Sequence, residues 1–79
     1  MVTSESIESS IRAGLACERV EVIGDGQHFQ ALIVSAAFAG RSRIQRHQLV
    51  YAALGERMRE EVHALSMKTL TPEEHSAGG

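Results

Sequence analysis

The run from His28 to Phe38 constrains the fold of this chain more than any other stretch. It has the length and composition of a β-strand, with apolar residues on both faces: Phe29, Ala31 and Ile33 on one, Leu32 and Val34 on the other. A strand that is apolar on both faces belongs at the centre of a sheet. Because an isolated hairpin is barely stable in water, we expect a further strand and helices to cover it.

Two other segments alternate with the period of a strand. From Glu18 to Gly24, apolar residues recur at every second position, and the sequence Gly24-Asp25-Gly26-Gln27 then favours a tight turn. From Ala64 to Thr71, apolar residues alternate with serine and lysine until Pro72 ends the run. The first segment is therefore predicted to pair antiparallel with the central strand, and the second to complete a three-stranded sheet.

Three segments have helical spacing. The first, from about Glu5 to Ala16, repeats apolar residues every four positions and has acidic residues near its start. The second, from Ser42 to Leu54, begins at a serine that suits an N-cap and is followed by Gly55. Its predicted apolar face consists of Ile44, His47, Val50, Tyr51 and Leu54. A short third helix is predicted from about Glu56 to His63.

The predicted order of elements is helix, strand, strand, helix, helix, strand. Strands joined by a tight turn pair antiparallel, whereas a strand reached through helices can lie parallel to its neighbour. We therefore expect an α+β fold, an αββααβ two-layer sandwich with a three-stranded mixed sheet. The length of 79 residues suits a single domain, residues 1–72, and the small polar residues 73–79 predict a disordered tail.

Composition excludes several classes of protein. Cys17 is the one cysteine, so this chain alone supplies neither an internal disulfide nor an all-cysteine metal site, and we expect Cys17 to pack against the core. No apolar run approaches the roughly 18 to 20 residues that span a bilayer, which predicts a cytoplasmic protein without membrane contact. No phosphate loop, Ser-His-Asp arrangement or metal triad is visible, so an enzyme is not expected.

The four histidines are the candidates for chemistry. His63 stands where the third predicted helix meets the last strand, a position that suits either a metal ligand or a histidine that caps a helix C-terminus. His28 enters the central strand and is either a ligand or a structural residue at the strand end. His47 falls among apolar residues and is interpreted as a core histidine with satisfied hydrogen bonds. His75, in the predicted tail, has no assigned role.

Five short motifs carry a resemblance to a known family: Phe38-Ala39-Gly40, Arg46-His47, Val50-Tyr51, His63-Ala64-Leu65 and Lys68-Thr69-Leu70-Thr71-Pro72. With these motifs, and over roughly Ile7 to Glu74, the chain resembles the BolA family of small proteins. The family is known for the same αββααβ order, which is similar to the second topological class of KH domains.

The resemblance implies a non-enzymatic adaptor that binds a monothiol glutaredoxin and shares a bridged [2Fe–2S] cluster with it, in cluster trafficking or iron homeostasis. The partner's cysteine and the thiolate of glutathione would supply sulfur ligands, and His63 would be this chain's metal ligand, as histidines are in Rieske centres. For a second ligand, His28, Asp25 and none at all remain open. Alone, the chain is expected to be a monomer or a weak homodimer.

The alternative function is a DNA-binding transcriptional regulator. Arg41, Arg43 and Arg46 form a basic cluster at the start of the second helix, where they could contact phosphates, and some BolA-like proteins are regarded as DNA-binding. Against this, the phosphate clamp of KH domains is a GXXG loop, and this chain has Gly55-Glu56-Arg57-Met58 at that place. A protein-interaction domain that binds no metal is the third hypothesis.

Overall fold

The structure is a computed structural model that describes residues 3–25, 27–55 and 65–78. Its elements, in chain order, are helix α1 (Ser4–Gly14), strands β1 (Arg19–Gly24) and β2 (Phe29–Val34), a 3-10 turn (Ala36–Phe38), helix α2 (Arg43–Leu54), strand β3 (Leu65–Leu70) and helix α3 (Pro72–Gly78). The predicted short helix from Glu56 to His63 lies outside the described residues.

The three strands form one mixed sheet in the order β1-β2-β3. β1 pairs antiparallel with β2, with Val20 opposite Ile33, and β2 pairs parallel with β3, with Phe29 beside Leu65. The predicted central position of the second strand, the mixed sheet and the α+β fold class are confirmed. β2 is central because the backbone groups of both its edges are paired, with β1 on one side and β3 on the other.

One face of the sheet and the two long helices enclose the core. The buried side chains are between 0% and 8% exposed, and α1, the sheet, the 3-10 turn and α2 all contribute to them: Ile7, Ile11, Val20, Phe29, Ala31, Ile33, Phe38, Val50, Leu54 and Leu65. Ser35 fixes the end of β2 inside this core, since its hydroxyl donates to the Ala16 carbonyl and its backbone N–H donates to the Leu70 carbonyl.

The crossing of α1 and α2 depends on Gly14. A Cβ atom at this position would stand 2.7 Å from the Ala53 Cα atom, well inside contact distance. The two helices therefore approach each other through backbone, and any side chain at residue 14 would push them apart. α1 itself begins with a capping box between Thr3 and Ser6.

Two features of α2 agree with the sequence, and its predicted apolar face needs correction. Ser42 is the N-cap, with a capping box to Gln45, and Gly55 ends the helix at a φ of 72°. Within the predicted face, Val50 and Leu54 are buried as expected, whereas Ile44 is 71% exposed and Tyr51 is 40% exposed. The buried stripe is narrow because α2 contacts α1 on one side and β3 on the other, and neither reaches the side that carries Ile44 and Tyr51.

The predicted second strand, His28 to Phe38, is too long. β2 ends at Val34, because the Ser35 side chain accepts a hydrogen bond from the Ala37 N–H and starts the 3-10 turn. The turn carries Phe38 into the core, where it is 0% exposed. The apolar run was therefore correctly assigned to the core, but a local serine cap divides it into two elements.

The predicted disordered tail is also corrected, because the structure has α3 in its place. Thr71 and Glu74 form reciprocal side chain to backbone hydrogen bonds, at 2.9 and 3.1 Å, which is the capping-box arrangement. Pro72 occupies the first helical position, where its missing N–H costs nothing. Glu74 also pairs with Arg46 of α2, which holds this short helix against the rest of the domain.

Candidate functional site

The β1–β2 hairpin is shaped by Asp25. Its Oδ1 atom accepts hydrogen bonds from the N–H groups of Gln27 and His28, both at 2.9 Å, and its own N–H donates to the His28 carbonyl at 3.2 Å. The hydrogen bond from the His28 N–H is the largest of several that hold the pKa of the Asp25 carboxyl below its ordinary value. Asp25 Oδ1 thus holds the turn in shape.

His28 is exposed, and its ring makes no hydrogen bond to any described residue. Its backbone is anchored on both sides, by Asp25 in the turn and by Phe29, which is 4% exposed in the core. The Phe29 ring lies against Gly24, where an added Cβ would stand 2.4 Å from its Cδ1 atom. A rigid strand end therefore presents an imidazole to solvent.

The parallel pairing of β2 with β3 bears on His63, the other candidate metal ligand. Both strands begin at the same edge of the sheet, with Phe29 beside Leu65. His63 lies outside the described residues; in the sequence it stands two positions before Leu65. The described residues contain no group of three or more His, Cys, Asp or Glu side chains that could hold a metal ion.

The predicted arginine cluster divides into one buried and two exposed side chains. The Arg46 side chain is 13% exposed and donates to Glu74 Oε1 and Oε2 at 2.7 and 3.1 Å, to the Thr69 carbonyl at 3.1 Å and to the Arg41 carbonyl at 3.1 Å. Its guanidinium also lies 5.9 Å from the centre of the Phe38 ring. Arg46 therefore joins α2, β3 and α3, a structural task that the sequence did not show.

Arg41 and Arg43 are exposed at the mouth of a groove of about 420 Å³ between α2, β3 and α3. Arg41 Nε donates to the Ala37 carbonyl at 3.1 Å. Lys68 of β3 contributes a third exposed cation, which the sequence analysis missed. Its place in the strand alternation, on the face opposite the core, was the signal that could have identified it.

The other candidate residues, His47, Cys17 and His75, are all partly buried. His47 is half-buried beside the groove, where burial and the nearby Arg43 charge lower its pKa. Cys17 packs against the core, as predicted, with its Sγ donating to the Leu15 carbonyl at 3.3 Å, and burial raises its pKa. His75 is half-buried in α3, and its buried Nδ1 atom has no hydrogen-bond partner among the described residues.

These features define a small two-layer α+β domain with helices against one face of a three-stranded mixed sheet, a histidine at the hairpin end and a basic groove at the start of α2. A family model described as BolA-like protein matches residues 2–74. The chain belongs to the BolA-like family, which confirms the resemblance found in its motifs.

Individual relatives agree with this assignment. The acid stress protein IbaG of Escherichia coli is 39% identical over 72 residues, which cover 90% of this chain and 86% of that protein. The Escherichia coli protein named DNA-binding transcriptional regulator BolA is 32% identical over 84 residues, covering 94% and 80%. The solved structure of a BolA homologue from Coxiella burnetii has a TM-score of 0.84 and 45% identity, covering 96% of this chain and 99% of that one.

No helix in the described part of the chain is both long enough and apolar enough to cross a bilayer.

Proposed function

We propose that this chain is a non-enzymatic adaptor that binds a monothiol glutaredoxin and shares a bridged [2Fe–2S] cluster with it, in cluster trafficking or iron homeostasis. The parallel register of β2 and β3 is the observation that carries this proposal. It sets the strand end that bears His28 beside the strand that follows His63 in sequence. This register supports a role for His28 and His63 as ligands of a cluster that a partner presents.

The ligand chemistry fits the residues at this edge. A neutral imidazole coordinates iron through one nitrogen, and [2Fe–2S] centres with histidine ligands are known. With one cysteine in the chain, half-buried against the core, sulfur ligands would come from the glutaredoxin cysteine and from glutathione. Between the two candidates for a second ligand we favour His28, because its exposed ring makes no hydrogen bond to a described residue, whereas the Asp25 carboxylate shapes the turn through Oδ1.

The test is co-expression with a monothiol glutaredoxin and purification of the complex with glutathione. The complex is expected to be coloured, and His63→Ala is expected to change its visible absorption and circular dichroism, because an iron ligand is lost. His28→Ala should give a smaller change. His75→Gln is the matched histidine control, and Asp25→Asn keeps an oxygen acceptor for the turn; both should leave the spectrum as in the wild type.

Two outcomes would contradict the proposal. A wild-type spectrum in His63→Ala would remove that residue from the ligand set. A colourless complex that forms equally well with and without iron in the preparation would favour the metal-free interaction domain instead. His28→Ala with an unchanged spectrum would leave His63 as this chain's single ligand.

The basic groove supports a second candidate function, that of a DNA-binding regulator. Arg41, Arg43 and Lys68 converge there from two elements, and relatives of this chain carry the name DNA-binding transcriptional regulator. Phosphate contacts of this kind give salt-dependent affinity.

Arg43→Met and Lys68→Met should each weaken binding to duplex DNA and reduce its salt dependence. Arg19→Met, which removes an equal charge from β1, is the control, and equal losses in all three variants would contradict a role for the groove.

A further inference from the structure

The basic groove contains an internal anion. Of the described residues that line it, Glu74 is the single acid, set among Arg41, Arg43, Arg46 and Lys68. Both carboxylate oxygens of Glu74 lie on the guanidinium of Arg46, at 2.7 Å from Nη1 and 3.1 Å from Nη2. An arginine forms the same bidentate pair of hydrogen bonds with a phosphate group. The carboxylate thus occupies the position that a phosphate oxygen pair would take on Arg46.

Among the helices that the structure describes, the one that carries Glu74 is the most weakly attached. α3 has seven residues and buries none of them fully. The Glu74 side chain is 46% exposed, whereas the Arg46 side chain is 13% exposed and is held independently by the carbonyls of Arg41 and Thr69. Displacement of Glu74 would therefore leave Arg46 in place and facing the groove, while α3 moves with little loss of core packing.

We propose that Glu74 acts as a built-in competitor for the basic groove: it occupies the phosphate position on Arg46, and a polyanionic ligand must displace it to engage all the cations. This inference rests on the second candidate function, with a nucleic-acid phosphate as the ligand. Through Glu74, α3 would then regulate ligand binding in addition to contributing to the stability of the domain. The carboxylate also neutralises part of the groove, so the resting protein attracts phosphate less than its cations imply.

Glu74→Gln is the decisive variant because it removes the charge and keeps the cap. A glutamine at this helix position still accepts the Thr71 N–H in a capping box, so α3 should remain folded. Glu73→Gln is the matched control: it makes the same change of charge one residue earlier on the same helix, outside the groove lining. Circular dichroism of both variants checks that the helix content is unchanged.

Binding of a fluorescently labelled random-sequence DNA duplex, followed by anisotropy at 50 mM salt, measures the effect. Glu74→Gln should bind roughly three- to tenfold more tightly than the wild type, and its plot of log affinity against log salt should be steeper by about 0.9, one phosphate contact. Glu73→Gln should differ from the wild type by less than about twofold, because an exposed charge outside the groove is screened. Equal affinities of the two variants would overturn the proposal.

Further results separate this inference from the function on which it rests. If the wild type binds DNA and Arg43→Met weakens binding, but Glu74→Gln and Glu73→Gln are alike, then the groove function stands and the competitor role fails. If no variant binds at 50 mM salt, both fail. In the wild type, the Thr71 amide NMR signal should shift on DNA addition, since its N–H donates to Glu74 Oε1; a fixed signal at saturating DNA would contradict displacement.

Discussion

At the scale of single residues, Arg46 and Glu74 change the interpretation of the sequence most. They form two hydrogen bonds with each other. Because they are 28 positions apart in the sequence, no local sequence pattern predicts this contact. Under the alternative DNA-binding function, Arg46 was grouped with Arg41 and Arg43 as a candidate phosphate contact, and the structure separates it from those two exposed side chains. Lys68 joins those two instead. The partition follows from burial: a guanidinium that loses water needs several acceptors, and the protein supplies them.

The Arg46–Glu74 pair predicts an acid-dependent loss of stability. The Arg46 hydrogen bonds are the largest cause that lowers the Glu74 pKa, to about 2. Because the folded pKa lies below the unfolded one, the stabilisation is complete above an unfolded pKa of roughly 4.3 and is lost as the pH falls towards 2. The melting temperature of the wild type should therefore fall more steeply than that of Glu74→Gln between pH 5 and pH 2. Parallel curves would contradict this.

At the scale of elements, local caps decide where helices begin. Ser42 was recognised as the start of α2 and is its N-cap. The equivalent signal at α3, Thr71-Pro72-Glu73-Glu74, was present in the sequence and was missed, because the small polar residues after it were interpreted as a tail. A threonine followed by proline and by glutamate three positions later satisfies every rule for a helix start. This error was avoidable from sequence.

Removal of the α2 cap should cost about 1 kcal/mol. In Ser42→Ala, the Gln45 N–H loses its side-chain acceptor, and such losses lie between about 0.5 and 2 kcal/mol. Ser9→Ala, an exposed site inside α1, is the control and should be neutral or slightly stabilising, because alanine favours helix interiors. Chemical denaturation of both variants measures the difference. A Ser42→Ala protein as stable as the wild type would show that the capping box contributes nothing.

At the scale of the whole molecule, a small core carries the fold. A chain of 79 residues has a free energy of unfolding of about 4 to 12 kcal/mol, at roughly 0.05 to 0.15 kcal/mol per residue. Each fully buried side chain is therefore a substantial part of the total. Helix periodicity assigned both Ile11 and Ile44 to buried faces. The structure agrees for Ile11, which is 0% exposed, and disagrees for Ile44, which is 71% exposed.

Two matched substitutions test that disagreement. Ile11→Ala should lower the free energy of unfolding by about 2 to 5 kcal/mol, since it empties a buried site in α1. Ile44→Ala makes the same chemical change in α2 at an exposed site and should stay within about 0.5 kcal/mol of the wild type. Urea denaturation gives both values. Similar losses in the two variants would place Ile44 in the core, as the periodicity predicted.

The sequence alone determined the elements that depend on neighbouring residues: the apolar period of α1, the central strand, the hairpin turn, the Ser42 cap and the Gly55 stop. The tertiary structure alone decided which side of α2 is buried, the contact of Arg46 with Glu74, and the meeting of the β2 and β3 starts at one sheet edge. The reason is distance along the chain. Local propensity acts over a few residues, whereas burial and pairing join residues that sequence spacing does not relate.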